Sequence, residues 1–199
     1  MRVSRIQAAE NRQTVINVAS RLFRERGFDG IGLKDLMEGA GLTQGAFYKQ
    51  FGSKEDLAVE ASRRALESAS GRWSDAAEQN PDDPLGAVIG FYLSGDHRDE
   101  KMDGCPIVAL GSDAARQGPD VKAEFEAGIK AHLDVLGRFL AGAGDEASRG
   151  KAMAILSTMV GAVTLSRVVN DPDLAQALLD SAAEQVRDAA ADRKDGSVS

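Results

Sequence analysis

Gln44, Gly45 and Ala46 follow Gly41-Leu42-Thr43 and precede Tyr48, Lys49 and Lys54. These residue types, in this order, suit the recognition of a nucleic-acid duplex. A glutamine amide pairs bidentately with an adenine edge, and an alanine methyl meets the methyl of thymine. A tyrosine hydroxyl and two lysine ammonium groups reach phosphates, which position a protein without reading sequence. Gly41 tolerates the positive φ of a tight turn. Thr43 is an expected helix N-cap, and its hydroxyl and the free N–H groups of the following turn form a phosphate seat. Lys34 is a further expected phosphate contact. Arg2 and Arg5 precede the first predicted helix, as an arm suited to an adjacent minor groove.

A second kind of chemistry centres on Cys105, the single cysteine. Pro106 suits the first position of a helix, so the thiol is expected at or near an N-cap. There the positive end of the helix favours the thiolate, and Lys101 is close in sequence. Such a thiol would sense electrophiles or oxidants; the alternative is a small cysteine filling space. Catalysis would require His97 or His132 as a base for Cys105. No nucleophile triad, phosphate-cradling glycine loop or metal-ligand cluster accompanies them, so the chain reads as a non-enzyme without metal or cofactor. A single cysteine also excludes an intrachain disulfide and points to a reducing compartment.

The elements that must carry these residues are helices. Val15, Val18, Ala19 and Leu22 repeat at helical spacing, in a helix expected from near Ser4 or Ala8 to Arg26. Short segments follow at 33–40 and 44–51, the outline of a helix-turn-helix. Leu36, Ala40, Leu42 and Phe47 are expected to pack these two segments together and onto Val18 and Leu22. Ser53 caps a long helix to about residue 79, with Asp56 placed as the acid of a capping box. Further helices are expected at 85–95, 105–116, 121–140, 146–169 and 174–191. Loops are expected at 97–104, of which residues 97–101 read as solvated and able to gate entry, and at 142–145. The last eight residues read as a frayed tail. With no strand pattern, the fold class is all-α: three helices, then six.

Charge is uneven along the chain. Residues 1–52 carry eight basic and five acidic side chains, a net of +3, while the remaining 147 carry a net of −10. A basic end on an acidic body points one end at a polyanion. The first residues lack the apolar run of a secretory signal, and no uninterrupted apolar stretch reaches about 18 residues. A cytoplasmic protein without a membrane segment is expected.

The run from Gly41 to Leu57, Gly-Leu-Thr-Gln-Gly-Ala-Phe-Tyr-Lys-Gln-Phe-Gly-Ser-Lys-Glu-Asp-Leu, resembles the signature of TetR-family transcriptional regulators. Ala19, Leu22-Phe23, Gly27-Phe28, Leu36 and Ala40-Gly41 agree in register, so the resemblance covers residues 11–57 without a gap. Gly32 departs from it, because the family commonly has Thr or Ser capping the second helix. The segment Gly104-Cys105-Pro106-Ile107-Val108-Ala109-Leu110 also resembles a subgroup of the LmrA/YxaF-like kind.

The resemblance implies a helix-turn-helix DNA-binding domain over residues 1–53 and a helical ligand-binding and dimerisation domain over 54–199. It implies a repressor that a small-molecule effector releases from its double-stranded DNA operator. It also implies that the last two helices, about 146–191 and rich in alanine, pair with their copies in a homodimer; an ordinary intrachain pair is the alternative. A two-fold dimer predicts a palindromic operator. Candidates for lining an effector pocket are Leu66, Trp73, Phe91, Tyr92, Met102, Cys105, Val108, Phe125, Ile129, His132, Phe139 and Met159. His132 is either a ligand hydrogen-bonder or a core histidine. Two other readings share the scaffold: a thiol-based sensor acting through Cys105, and a ligand-binding module whose DNA-binding domain is vestigial.

Overall fold

The computed structural model describes residues 4–140 and 146–191, and the described residues contain helices and no strand. Arg2, the expected turn at 142–145 and the expected tail lie outside them. The helices are α1 (Arg5–Arg26), α2 (Leu33–Gly39), a 3-10 helix (Gln44–Lys49), α3 (Lys54–Glu78), α4 (Pro84–Tyr92), α5 (Gly95–Asp99), α6 (Pro106–Ala114), α7 (Pro119–Phe139), α8 (Glu146–Val168) and α9 (Pro172–Ala191).

Most boundaries have local causes. Ser4 caps α1 by accepting from the Gln7 N–H at 3.1 Å. Gly27 ends it with φ +76°, where a Cβ would lie 2.5 Å from the Asp113 carboxylate. Ser53 accepts from the Asp56 N–H at 3.0 Å at the start of α3, and Asp83 accepts from the Gly86 N–H at 2.9 Å at the start of α4. Pro119 and Pro172, which read as helix breaks in the sequence, are the first residues of α7 and α9. Their fixed φ suits the first helical position, where the missing N–H has no partner to lose.

The described residues divide into two compact units. One holds the residues up to Ser68 with Lys101–Gly128, the other Ala69–Glu100 with those from Ile129 onward. In the first, α1 packs on α2 and α6, and α2 packs on the 3-10 helix. Its core gathers Val15, Phe23, Phe28, Leu36, Met37, Phe47, Phe51 and Leu57 with Leu110, Val121 and Phe125 of α6 and α7. In the second, α8 packs along α9, α4 meets α9, and α5 meets α4 and α8. α8 buries Ala152, Ile155, Met159, Ala162, Val163 and Ser166 on one stripe. By length and composition α8 is apolar enough to cross a membrane, but polar residues interrupt it, as the sequence shows, and its buried stripe packs along a neighbour as in a core helix.

The loop expected at 97–104 is replaced in part by α5. Ser94 accepts from the His97 N–H at 3.1 Å and opens a single turn. Arg167 of α8 closes that turn, donating to the carbonyls of Arg98, His97 and Glu100 at 2.7, 3.0 and 3.0 Å. His97 is thereby buried, not solvated. Nothing local announces a cap supplied from 70 residues away.

Candidate nucleic-acid interface

The turn ahead of the 3-10 helix is built by its hydrogen bonds. Leu42 N–H donates to Met37 O and Gly41 N–H donates to Glu38 O, both at 2.9 Å. This six-to-one and five-to-two pair is a Schellman ending, which needs a left-handed residue at Gly41. Gly41 has φ +68° and open space where a Cβ would lie, so the backbone angle alone demands glycine. α2 lies close to α1: a Cβ on Gly39 would stand 3.0 Å from Val18 and 3.2 Å from Leu22.

The segment expected as a helix over 44–51 is a 3-10 helix ending at Lys49. Ala46 N–H bonds to Thr43 O and Gln50 N–H to Phe47 O, both three residues back. Six residues form too few bonds to favour the wider helix by themselves. Thr43 occupies the N-cap in extended conformation, as expected, but its side chain makes no capping bond. Gly32 caps α2 likewise without a side-chain bond.

The structure brings Thr43, Gln44, Gly45, Tyr48 and Lys49 together as exposed residues of one short element. Phe47 between them is fully buried, while Tyr48 is 68% exposed. Ala46 is half-buried against the core, and Lys54 is half-buried at the start of α3. Arg5 is exposed at the start of α1, and Lys34 is exposed 3.8 Å from Glu38.

The aromatic spacing beneath this element is regular. Phe47 stacks on Phe51 with centroids 5.5 Å apart, and Tyr48 meets Phe47 edge-on at 5.2 Å. Beneath α1, the buried Arg24 donates to Gly104 O at 2.9 Å and lies 3.5 Å from Asp103, which also pairs with Arg21 at 2.8 Å. Asp113 of α6 accepts from the Phe28 N–H at 3.3 Å. Both ends of α6 are therefore tied to the end of α1. The sequence reading missed these ties, because the partners lie 80 and 85 residues apart with no spacing to link them.

The expected effector-pocket residues fall in both units. In the first, Leu66, Cys105 and Phe125 are buried, and Met102 and Val108 are half-buried. Cys105 is the N-cap of α6, as expected, and is 2% exposed. In the second, Trp73, Tyr92, His132 and Met159 are buried, Phe91 and Phe139 half-buried, and Ile129 is 36% exposed. Trp73 meets Tyr92 edge-on at 5.2 Å and His132 edge-on at 4.6 Å. Phe91 lies under Arg72, 5.7 Å from its guanidinium carbon. His97 Nδ1 is 2.7 Å from Tyr92 O, so that nitrogen carries the proton. Burial pushes the His97 pKa down to about 4, with the Arg167 and Arg72 charges adding to the effect against the hydrogen bond to Tyr92.

Residues 15–61 match the family described as bacterial regulatory proteins, tetR family. The HTH-type transcriptional regulator LmrA of Bacillus subtilis (strain 168) is 25% identical over 162 residues, covering 79% of this chain and 86% of that protein. The crystal structure of E. coli NemR in its reduced form superposes with a TM-score of 0.75 at 20% identity, covering 90% of this chain and 97% of that one. FadR from Bacillus subtilis, in complex with stearoyl-CoA, superposes with a TM-score of 0.64 at 19% identity, covering 87% and 96%. The sequence match falls on the helices that seat and expose the 3-10 element, and the fold likeness extends through the helical body. Over residues 15–61 the chain is similar to the tetR family of bacterial regulatory proteins, and over most of its length to an HTH-type transcriptional regulator of that kind.

Proposed function

We propose that the chain represses transcription by binding a palindromic operator as a homodimer, and that a small-molecule effector releases it. Residues 1–53 act as the DNA-binding domain and 54–199 as the effector-binding and dimerisation domain. The observation that carries this reading is the 3-10 helix, with Phe47 fully buried beneath an exposed Gln44, Tyr48 and Lys49. Gln44 and Ala46 read base edges in the major groove. Thr43, Gly45, Tyr48, Lys49, Lys54 and Lys34 hold phosphates through side chain or backbone, and Arg2 and Arg5 reach the adjacent minor groove. As an operator-binding regulator the protein works in the cytoplasm.

Dimerisation is supported by the outer side of α8 and α9. Met153, Leu165, Val168 and Leu174 are 43%, 52%, 73% and 47% exposed, with Gly161 half-buried among them. Exposed apolar side chains gathered on two packed helices call for a partner, and a second copy sets two reading helices about 34–36 Å apart. The aromatic group of Trp73, Phe91, Tyr92 and His132 supports an effector with an apolar body, as does the stearoyl-CoA bound by the fold neighbour FadR.

Electrophoretic retention of the DNA upstream of the protein's own gene tests this reading. A discrete complex with two chains per duplex is expected. Retention of no duplex, even from a random-sequence pool, would leave a ligand-binding module with a vestigial DNA-binding domain.

The N-cap position of Cys105 favours a second reading, in which a thiol senses electrophiles. Its thiolate would add to the alkene carbon of N-ethylmaleimide, with the proton taken up at the neighbouring carbon. DNA release by N-ethylmaleimide in the wild type but not in Cys105→Ser is the expected sign of a sensor. Equal behaviour of the two returns Cys105 to a packing role.

A further inference from the structure

Arg12 belongs to α1 and not to the exposed row on the 3-10 helix. Its guanidinium forks onto Glu60 of α3, with Nη1 donating to Oε2 at 2.5 Å and Nη2 donating to Oε1. The same guanidinium lies over the Phe51 ring, 4.8 Å from the centroid. Phe51 stacks on Phe47, and Phe47 meets Tyr48. An unbroken series of contacts thus runs from Glu60 to Tyr48, across α3, α1 and the 3-10 helix.

The physical need for it is plain. A six-residue 3-10 helix has little stability of its own, so packing must set its direction. Phe47 alone is a single anchor, about which the element can swing. Phe51 is a second anchor, fixed from above by a flat cation whose two terminal nitrogens are committed to one carboxylate. Only arginine provides the fork and the stacking face together.

We propose that Arg12 is a positioning residue for DNA recognition: held by Glu60, it fixes Phe51 and so sets the angle at which the 3-10 helix presents Gln44 to base edges. This inference rests on the DNA-binding reading above. It goes further in assigning specificity to an arginine whose guanidinium is held by a carboxylate of α3.

The test uses the full chain and the duplex that the wild type retains from a random-sequence pool, beside a scrambled duplex of equal length. Arg12→Lys, Arg12→Gln, Glu60→Gln and Phe51→Leu are compared for affinity per active molecule, the active fraction being set by titration at stoichiometric DNA. Each is expected to weaken the selected duplex about tenfold, a change of about 1.4 kcal/mol. Affinity for the scrambled duplex and the salt slope on the selected one should stay as in the wild type. A merely structural role lowers the active fraction and moves both duplexes alike.

Glu60→Gln is the decisive variant, since removing a negative charge would by simple electrostatics tighten DNA binding. Unchanged or tighter binding of the selected duplex by Glu60→Gln overturns the proposal. So does Arg12→Lys binding as the wild type while Arg12→Gln loses about one unit of salt slope, the mark of a phosphate contact. Should the Arg12 variants fail to fold, Phe51→Leu, which keeps an apolar side chain without the stack, decides the matter: loss on the selected duplex alone supports the proposal, and wild-type affinity for it overturns the proposal. Retention of no duplex by the wild type instead overturns the DNA-binding reading itself.

Discussion

Phe47 and Tyr48 are neighbours in the chain and opposites in environment, one fully buried and the other 68% exposed. That contrast separates side chains that hold the interface from those that use it. Gln44→Ala is expected to cost about 1–3 kcal/mol at particular base pairs and nothing at others. Lys54→Ala should weaken all duplexes alike and lower the salt slope by about one unit. Binding to a panel of single-base variants at several salt concentrations separates the two; a uniform loss in Gln44→Ala would remove its base-reading role. His97 makes a different prediction at this scale. Its folded pKa of about 4 lies below the ordinary 6.5, so the native state stays neutral while the unfolded chain takes up a proton. The stability it contributes is present above pH 6.5 and is lost as the pH falls towards 4, by up to ~3 kcal/mol. His97→Asn keeps a donor near Tyr92 O without a titrating ring. The pH dependence of urea unfolding between 6.5 and 4 should flatten in that variant, and an unchanged slope would assign it to other groups.

The elements around the interface depend on a few terminal residues. Gly41 is the clearest, because its φ of +68° is imposed by the Schellman bonds from Leu42 and Gly41 and not by crowding. Gly41→Ala is expected to cost about 1 kcal/mol in unfolding free energy. On the proposed function it should cost more in operator affinity, since strain introduced at this turn would redirect the 3-10 helix. An unchanged midpoint in thermal unfolding would show that the angle is not maintained. α5 teaches the converse lesson. Five residues have no helical stability of their own, and this turn exists because Ser94 opens it and Arg167 closes it from α8.

The charge is asymmetric, +3 over residues 1–52 and −10 over the rest, which favours the first 52 residues as the part that would meet a polyanion. The outer side of α8 and α9 supplies the prediction at the scale of the whole molecule. Leu165 is 52% exposed in the single chain, so Leu165→Glu should change chain stability by less than about 0.5 kcal/mol. In a dimer it would bury a carboxylate against apolar groups, and dimer dissociation should become at least about tenfold easier. Sedimentation equilibrium reads this directly, and wild-type self-association unaltered by the variant would move the interface elsewhere.

Much of this was legible in the residues themselves. The helical periodicity, the capping residues Ser4, Ser53 and Gly27, and the turn at Gly41 are set by neighbours within a few positions. For that reason the sequence by itself determined the all-helical fold, the first helices and the exposed row around Gln44 and Tyr48. The 3-10 form of the segment Gln44–Lys49 was not legible, because the choice between two helical windings in six residues is made by what Phe47 and Phe51 pack against. The burial of His97 was not legible either, since polar composition predicts solvent and the cap comes from Arg167. Arg12 gripping Glu60, Arg24 holding Gly104 and Asp113 holding Phe28 join residues 48, 80 and 85 positions apart. Only the tertiary structure decided those pairings, because a charge in sequence carries no record of the distant partner that folding brings to it.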